Sequence, residues 1–218
     1  VPGKSIDYKT RTKLFRQAIT EIDGSVGQIL DALKQHGIDK KTFVIFTSDN
    51  GPAIGSAGTL KGKKGSNFEG GMREPTVIRW PGHLPAGKTS DRLVTAMDLL
   101  PTFAHLAGAE IPTDRIIDGR NIWSVLAEDA PTPHEAFFYH RQTQLTAVRS
   151  GNWKMHLANG KPSALYDLDT DISESKNVIK IHPEVVTRLS KHIAVFQKDI
   201  AANVRPAAFV EKPVPLAP

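Results

Sequence analysis

Two groups of residues in this sequence have the types and spacing to do chemistry. Asp49 and Asn50 set a carboxylate and an amide oxygen side by side ahead of Gly51 and Pro52. Paired hard oxygens at a tight turn suit a divalent cation such as calcium or magnesium. Asp-Asn-Gly is also ordinary turn chemistry, so these residues alone leave a metal site and a plain turn both open. Lys64 lies fourteen positions after Asn50, in a glycine-rich stretch with Lys61 and Lys63. Glycines there let backbone approach a ligand, and an ammonium contacts a tetrahedral oxyanion as a point charge. The alternative is a solvated surface lysine, the role assigned to Lys61 and Lys63.

A third group, Glu69-Gly70-Gly71-Met72-Arg73-Glu74-Pro75, places two acids and an arginine around a Gly-Gly pair. Such charges must pair if they are buried, and their preferred role is scaffolding. His140 and Arg141 follow an expected strand and are read as surface residues, with contact to a substrate pocket as the alternative. Trp80, Trp123 and Trp153 are read as core.

These residues need elements to position them. Apolar residues Phe15, Ile19, Ile22, Val26, Ile29, Leu30 and Leu33 recur at helical spacing and predict a helix over residues 12–35, stopped by Gly37. The uninterrupted apolar run at 43–47 predicts a strand buried on both faces, hence a parallel α/β sheet. Asp49 and Asn50 then fall at the carboxyl end of that strand, where ligands bind in open α/β sheets. Residues 53–71 read as a long functional loop. A second strand is expected at 76–80, and helices at 97–106 and 122–126. Short strands at 137–139, 146–149, 153–157 and 165–168, parted by turn signals, predict an antiparallel meander. Pro183 opens a long helix whose apolar face includes Val185, Leu189, Ile193 and Phe196, expected to cover that sheet. The expected organisation is a large α/β part over 1–128, a small sheet-and-helix part over 129–205, and an extended proline-rich tail over 206–218.

Composition limits the function classes. The chain has 218 residues, 39% hydrophobic and 23% charged, as in folded globular proteins. It has no cysteine, which excludes disulfides, zinc-thiolate sites and a cysteine nucleophile within these residues. The net charge of +5 comes from scattered lysines and arginines interleaved with acids, which argues against a nucleic-acid partner. No apolar run is long enough to span a membrane.

The ordered series FVIFTSDNG at 43–51, LKGKKG at 60–65, EGGMREP at 69–75, RWPG at 79–82 and MDLLPT at 97–102 resembles the formylglycine-dependent sulfatase family. AVRSGNWK at 147–154, ALYDL at 164–168 and ESKN at 174–177 continue the resemblance, which runs from about residue 14 to 200. It implies part of an alkaline-phosphatase-like mixed α/β sheet flanked by helices, with a small antiparallel subdomain and a long carboxyl-terminal helix. It further implies Asp49 and Asn50 as metal ligands, usually to calcium and alternatively magnesium, and Lys64 as the residue on the substrate sulfate. The expected partners are a sulfate ester and a missing amino-terminal part of the same protein. The family's formylglycine arises from a Cys/Ser-x-Pro-x-Arg motif, which this sequence lacks, so the nucleophile is expected upstream and the isolated chain is expected to be inactive. Export to a periplasm, extracellular space or lysosome is the implied location. A phosphonate or phosphate monoester hydrolase of the same superfamily and a non-catalytic anion-binding homologue are the alternatives.

Overall fold

A computed structural model describes residues 7–204. The expected extended tail at 206–218 lies outside the described residues. The first helix, α1, runs Tyr8–Gln35, capped by the Asp7 carboxylate accepting from the Thr10 amide at 3.0 Å and closed by Gly37 at φ 66°. The expected helix is present, but its apolar face is not in a core. No residue of α1 is buried, and Phe15, Ile19, Ile22 and Ile29 are exposed.

Strand β1 spans Val44–Thr47 and β2 spans Thr76–Arg79; they pair antiparallel, with Val44 opposite Arg79 and Thr47 opposite Thr76. The expectation of a parallel sheet buried on both faces is therefore corrected. Among the described residues β1 has no neighbour except β2, and Phe46 and Val77 stand exposed. An unbroken apolar run measures the tendency to be covered, and covering requires a partner element that the described residues do not supply. Arg79 holds Asp39 in a two-pronged pair at 2.6 and 3.1 Å, tying β2 to the turn before β1.

Within the expected loop a short helix, α2, forms at Glu69–Met72. Farther on come α3 at Leu99–Leu106, preceded by a 3-10 turn at Ala96–Asp98, and α4 at Trp123–Glu128. Buried Asp98 joins these pieces. Its carboxylate accepts from the Thr95 amide at 2.7 Å and the Arg120 amide at 2.8 Å, and it meets His134 Nε2 at 2.8 Å. Trp80 and Trp123 pack edge to face nearby, and both are half-buried.

The meander forms as expected: β3 at Phe137–Arg141, β4 at Gln144–Ser150, β5 at Trp153–Ala158 and β6 at Lys161–Asp167, each antiparallel to the next. Helix α5, Pro183–Asn203, lies over one face of it. Val148, Met155 and Leu165, aligned across three strands, form a core with Val185 and Leu189 of α5. Each such side chain contributes about 1.5–3 kcal/mol on burial. Phe196 stacks on Phe138 at 3.9 Å.

Side chains alternate across a strand, so Lys154 and His156 project from the opposite face to Met155. That second face is covered as well: Lys154 is fully buried, and it meets α2. This contact joins the meander to the region of Asp49, Asn50 and Lys64.

Candidate functional site

The turn at Asp49 and Asn50 follows directly on β1, and the Ser48 hydroxyl donates to the Asn50 carbonyl at 3.1 Å. Asp49 is exposed and Asn50 half-buried. Among the described residues neither side chain is engaged in a hydrogen bond, so the carboxylate and the amide oxygen are both available as ligands. Glu74 lies within reach of the Asp49 charge, and its Oε1 is buried with no hydrogen-bond partner among the described residues. Burial, followed by the negative charge of Asp49, pushes the Glu74 carboxyl above its ordinary value. Hard oxygens with an excess of negative charge fit a calcium-type cation. Among the described residues no three acids, histidines or cysteines group closely enough to hold one alone. Asp49 and Asn50 thus amount to part of the roughly six to eight oxygens that calcium takes.

Backbone contacts bring Lys64 to this turn. Its amide donates to the Pro52 carbonyl at 3.3 Å, and the Gly51 amide donates to the Gly71 carbonyl at 3.1 Å. Helix α2 is wedged between the turn and the lysine loop, with the Gly70 amide donating to the Lys61 carbonyl at 2.7 Å. The wedge admits no side chains. A Cβ on Gly51 would lie 2.0 Å from the Gly70 carbonyl oxygen, and one on Gly71 would lie 2.2 Å from the Ser66 carbonyl oxygen. The Lys64 side chain itself is exposed and, among the described residues, unpaired.

Glu69, at the start of α2, enters a buried ionic cluster. Its Oε1 accepts from Lys154 Nζ at 2.8 Å, and its Oε2 lies 3.4 Å from Arg149 and 3.8 Å from Arg73. Glu174 completes the cluster, with Oε1 at 3.3 Å from Lys154 and 2.7 Å from His156 Nε2, while Oε2 accepts the Glu69 amide at 2.6 Å. Burial pushes the Glu174 carboxyl up, but the hydrogen bond from His156, the Lys154 charge and the Glu69 amide outweigh it and hold the carboxyl below its ordinary value. Burial, together with the Glu69 charge, pushes the phenol of neighbouring Tyr139 far up, so it stays neutral.

The scaffolding expected of Glu69 and Arg73 is thus present, whereas Glu74 is left without an ion-pair partner. Lys61 is exposed as expected, but its ammonium is engaged: it donates to the Glu174 carbonyl at 3.0 Å and sits 4.3 Å from the Phe68 ring centroid. His140 and Arg141 are exposed at the end of β3, with His140 tilted toward Phe196 at 5.6 Å. Sequence reasoning missed Lys154, His156 and Glu174. The available signal was a lysine and a histidine two apart in a strand, on the face opposite Met155; a solvated face is the commoner meaning of that pattern.

Comparisons with known proteins converge on one family. The sulfatase family profile matches residues 8–109, and the profile of the N-sulphoglucosamine sulphohydrolase carboxyl-terminal region matches residues 63–199. N-acetylgalactosamine-6-sulfatase of Mus musculus is 44% identical over an alignment of 150 positions, gaps included, that covers 66% of this chain and 29% of the mouse protein. Arylsulfatase A of Homo sapiens is 31% identical over an alignment of 243 positions, gaps included, that covers 94% of this chain and 48% of the human protein. The chain therefore spans less than half the length of either relative. Among solved structures, Ps i-CgsB in complex with k-i-k-neocarrahexaose superposes with a TM-score of 0.80 at 32% identity, covering 95% of this chain and 46% of that one. The phosphonate monoester hydrolase of Agrobacterium radiobacter superposes with a TM-score of 0.63 at 27% identity, covering 83% and 40%.

Proposed function

The chain belongs to the sulfatase family, and from that premise we propose that the intact polypeptide containing it hydrolyses sulfate monoesters, with Asp49 and Asn50 as metal ligands and Lys64 on the substrate sulfate. The observation that carries this reading is the joining of the Asp49-Asn50 turn to the Lys64 loop through the Gly51–Gly71 and Lys64–Pro52 backbone bonds. The turn with the proposed cation ligands and the loop with the proposed anion contact, separated in sequence, are thereby bonded to each other and to α2.

In this proposal Asp49 and Asn50 offer their free oxygens to calcium, or alternatively magnesium. When bound, such a cation withdraws electron density from the sulfate oxygens as a Lewis acid. Lys64 directs three N–H donors at the same oxyanion and stabilises charge as the ester bond breaks. The family's nucleophile is formylglycine, and no Cys/Ser-x-Pro-x-Arg motif occurs in these 218 residues. The proposal therefore places that residue, and the remaining metal ligands, in polypeptide beyond this chain. It assigns residues 1–128 to the large catalytic part and 129–205 to a small part beside it. Export is proposed on the family resemblance; no helix among the described residues is long and apolar enough to cross a membrane.

The likeness to a phosphonate monoester hydrolase favours one second reading, in which the same site takes a phosphorus ester. The test is turnover by the intact polypeptide of the sulfate, phosphate and phenylphosphonate esters of p-nitrophenol, with mass mapping for formylglycine. Preferential sulfate hydrolysis with formylglycine supports the first reading, and preferential phosphonate hydrolysis the second. No turnover of any ester leaves an anion-binding homologue.

A further inference from the structure

Glu174 grips both ends of the segment that carries Lys64. Its main-chain carbonyl accepts from Lys61 Nζ at 3.0 Å, and its side-chain Oε2 accepts from the Glu69 amide at 2.6 Å. Between these two points Asn67 donates to the Thr146 hydroxyl on β4. Residues 61–69 are therefore fastened at three places to the meander and the loop that follows it, and the Lys64 side chain is left free at the exposed turn.

The far side of the grip is buried. Lys154, fully buried on β5, meets both carboxylates, and His156 takes the remaining bond to Glu174. Lys154 and Arg149 balance the charges of Glu69 and Glu174. Removing four groups from water gives little net stability, since well-packed apolar side chains of similar volume often serve as well or better. Directionality is what such a cluster supplies and an apolar patch does not. Glu174 also holds a left-handed backbone at φ 49°, a conformation that residues other than glycine seldom adopt and that surrounding contacts must impose.

Resting on the assignment of Lys64 to the substrate sulfate, we propose that Glu174 and Lys154 are positioning residues for that lysine: a buried ionic clamp from the small sheet sets the segment 61–69 against the Asp49-Asn50 turn. The clamp acts on the anion contact more directly than on the metal ligands, because its bonds run to Lys61 and Glu69 on either side of Lys64 and reach the turn only through the Gly51–Gly71 and Lys64–Pro52 backbone bonds.

The test uses the intact polypeptide loaded with calcium and measures its affinity for inorganic sulfate by calorimetry, its affinity for calcium, and hydrogen exchange of residues 61–69. Glu174→Ala is expected to weaken sulfate about tenfold, corresponding to about 1.4 kcal/mol. Calcium affinity stays within about twofold, and exchange quickens in 61–69 while that of β4 and β5 is retained. The deciding arm is the double variant: with Lys64 already replaced by alanine, Glu174→Ala costs no further sulfate affinity, because a positioning residue acts through the group it positions. Lys61→Met, at a largely exposed position, is the milder variant should Glu174→Ala not fold; it is expected to weaken sulfate about threefold, with the same dependence on Lys64. Unchanged sulfate affinity in Glu174→Ala, or in Lys61→Met if that is the variant that folds, overturns the clamp, as does a loss that adds fully to that of Lys64→Ala. If Lys64→Ala alone binds sulfate like the wild type, the assignment of Lys64 falls and the clamp falls with it, an outcome distinct from a clamp that fails while Lys64 stands.

Discussion

Gly51 and Gly71 meet backbone to backbone, the amide of one donating to the carbonyl of the other at 3.1 Å. The contact leaves no volume for a side chain: a Cβ on Gly51 would lie 2.0 Å from the Gly70 carbonyl oxygen and 2.8 Å from the Gly71 Cα. Through this contact the turn bearing Asp49 and Asn50 is seated on α2, the helix that also carries the buried Glu69.

Gly51→Ala is accordingly expected to push the turn off α2, with a loss of about 1–3 kcal/mol or more from overpacking and a fall in calcium affinity. Gly27→Ala is the control: it lies inside α1 with nothing within 4 Å of the added Cβ, and it should stabilise by about 0.5–1 kcal/mol. Denaturant midpoints for both variants, with a calcium titration of the first, check the pair.

Asp49→Ala in the intact polypeptide should abolish calcium binding and most ester hydrolysis, because the lone amide oxygen of Asn50 does not replace a carboxylate. Lys64→Ala should keep the calcium affinity and lower turnover about 100-fold or more, the usual consequence of deleting one donor to a developing oxyanion. Calcium calorimetry beside steady-state kinetics separates the two effects. Normal kinetics in both variants would falsify the site assignment.

Asp98→Ala removes a fully buried carboxylate that satisfies the amides of Thr95 and Arg120 and meets His134. A loss of roughly 3 kcal/mol or more is expected, because the substitution leaves the two amides and the imidazole without their acceptor. Asp98→Asn, which keeps the shape and one acceptor oxygen, should lose less. Urea unfolding followed by tryptophan fluorescence reports on both, since Trp80 and Trp123 pack in this region.

Glu174 is held below its ordinary value in the folded protein, so its unfolded form takes up a proton first as pH falls. The stability it contributes is complete above the ordinary glutamate range near 4.5 and drains away as pH descends from there through the depressed folded value. Wild type should therefore lose more stability between about pH 5 and 3 than Glu174→Gln, whose side chain does not titrate. Equal acid sensitivity of the two proteins, measured by denaturant titration across that range, would count against the ionic description of the cluster.

Much of the candidate site was legible in the sequence because the relevant signals are local. Asp49 and Asn50 stand out as adjacent oxygens after a strand-like run, and the glycines of the 53–71 stretch signal close backbone approach. Helix α2 was not legible. A Glu-Gly-Gly-Met segment has poor helix propensity, and α2 forms because Glu69 is drawn into a buried cluster and its glycines fit the wedge.

By itself the sequence determined helices α1, α3, α4 and α5, the meander, the α5 face bearing Val185 and Leu189, and the family, since periodicity, turn residues and ordered motifs all lie along the chain. Only the tertiary structure decided the antiparallel pairing of β1 with β2, the exposure of the apolar face of α1, and the union of Glu69, Lys154 and Glu174. The physical reason is range. Side-chain period and turn chemistry are set within a few residues, but whether a lysine on a strand faces water or two carboxylates depends on segments more than eighty positions away, as Lys154 and Glu69 are.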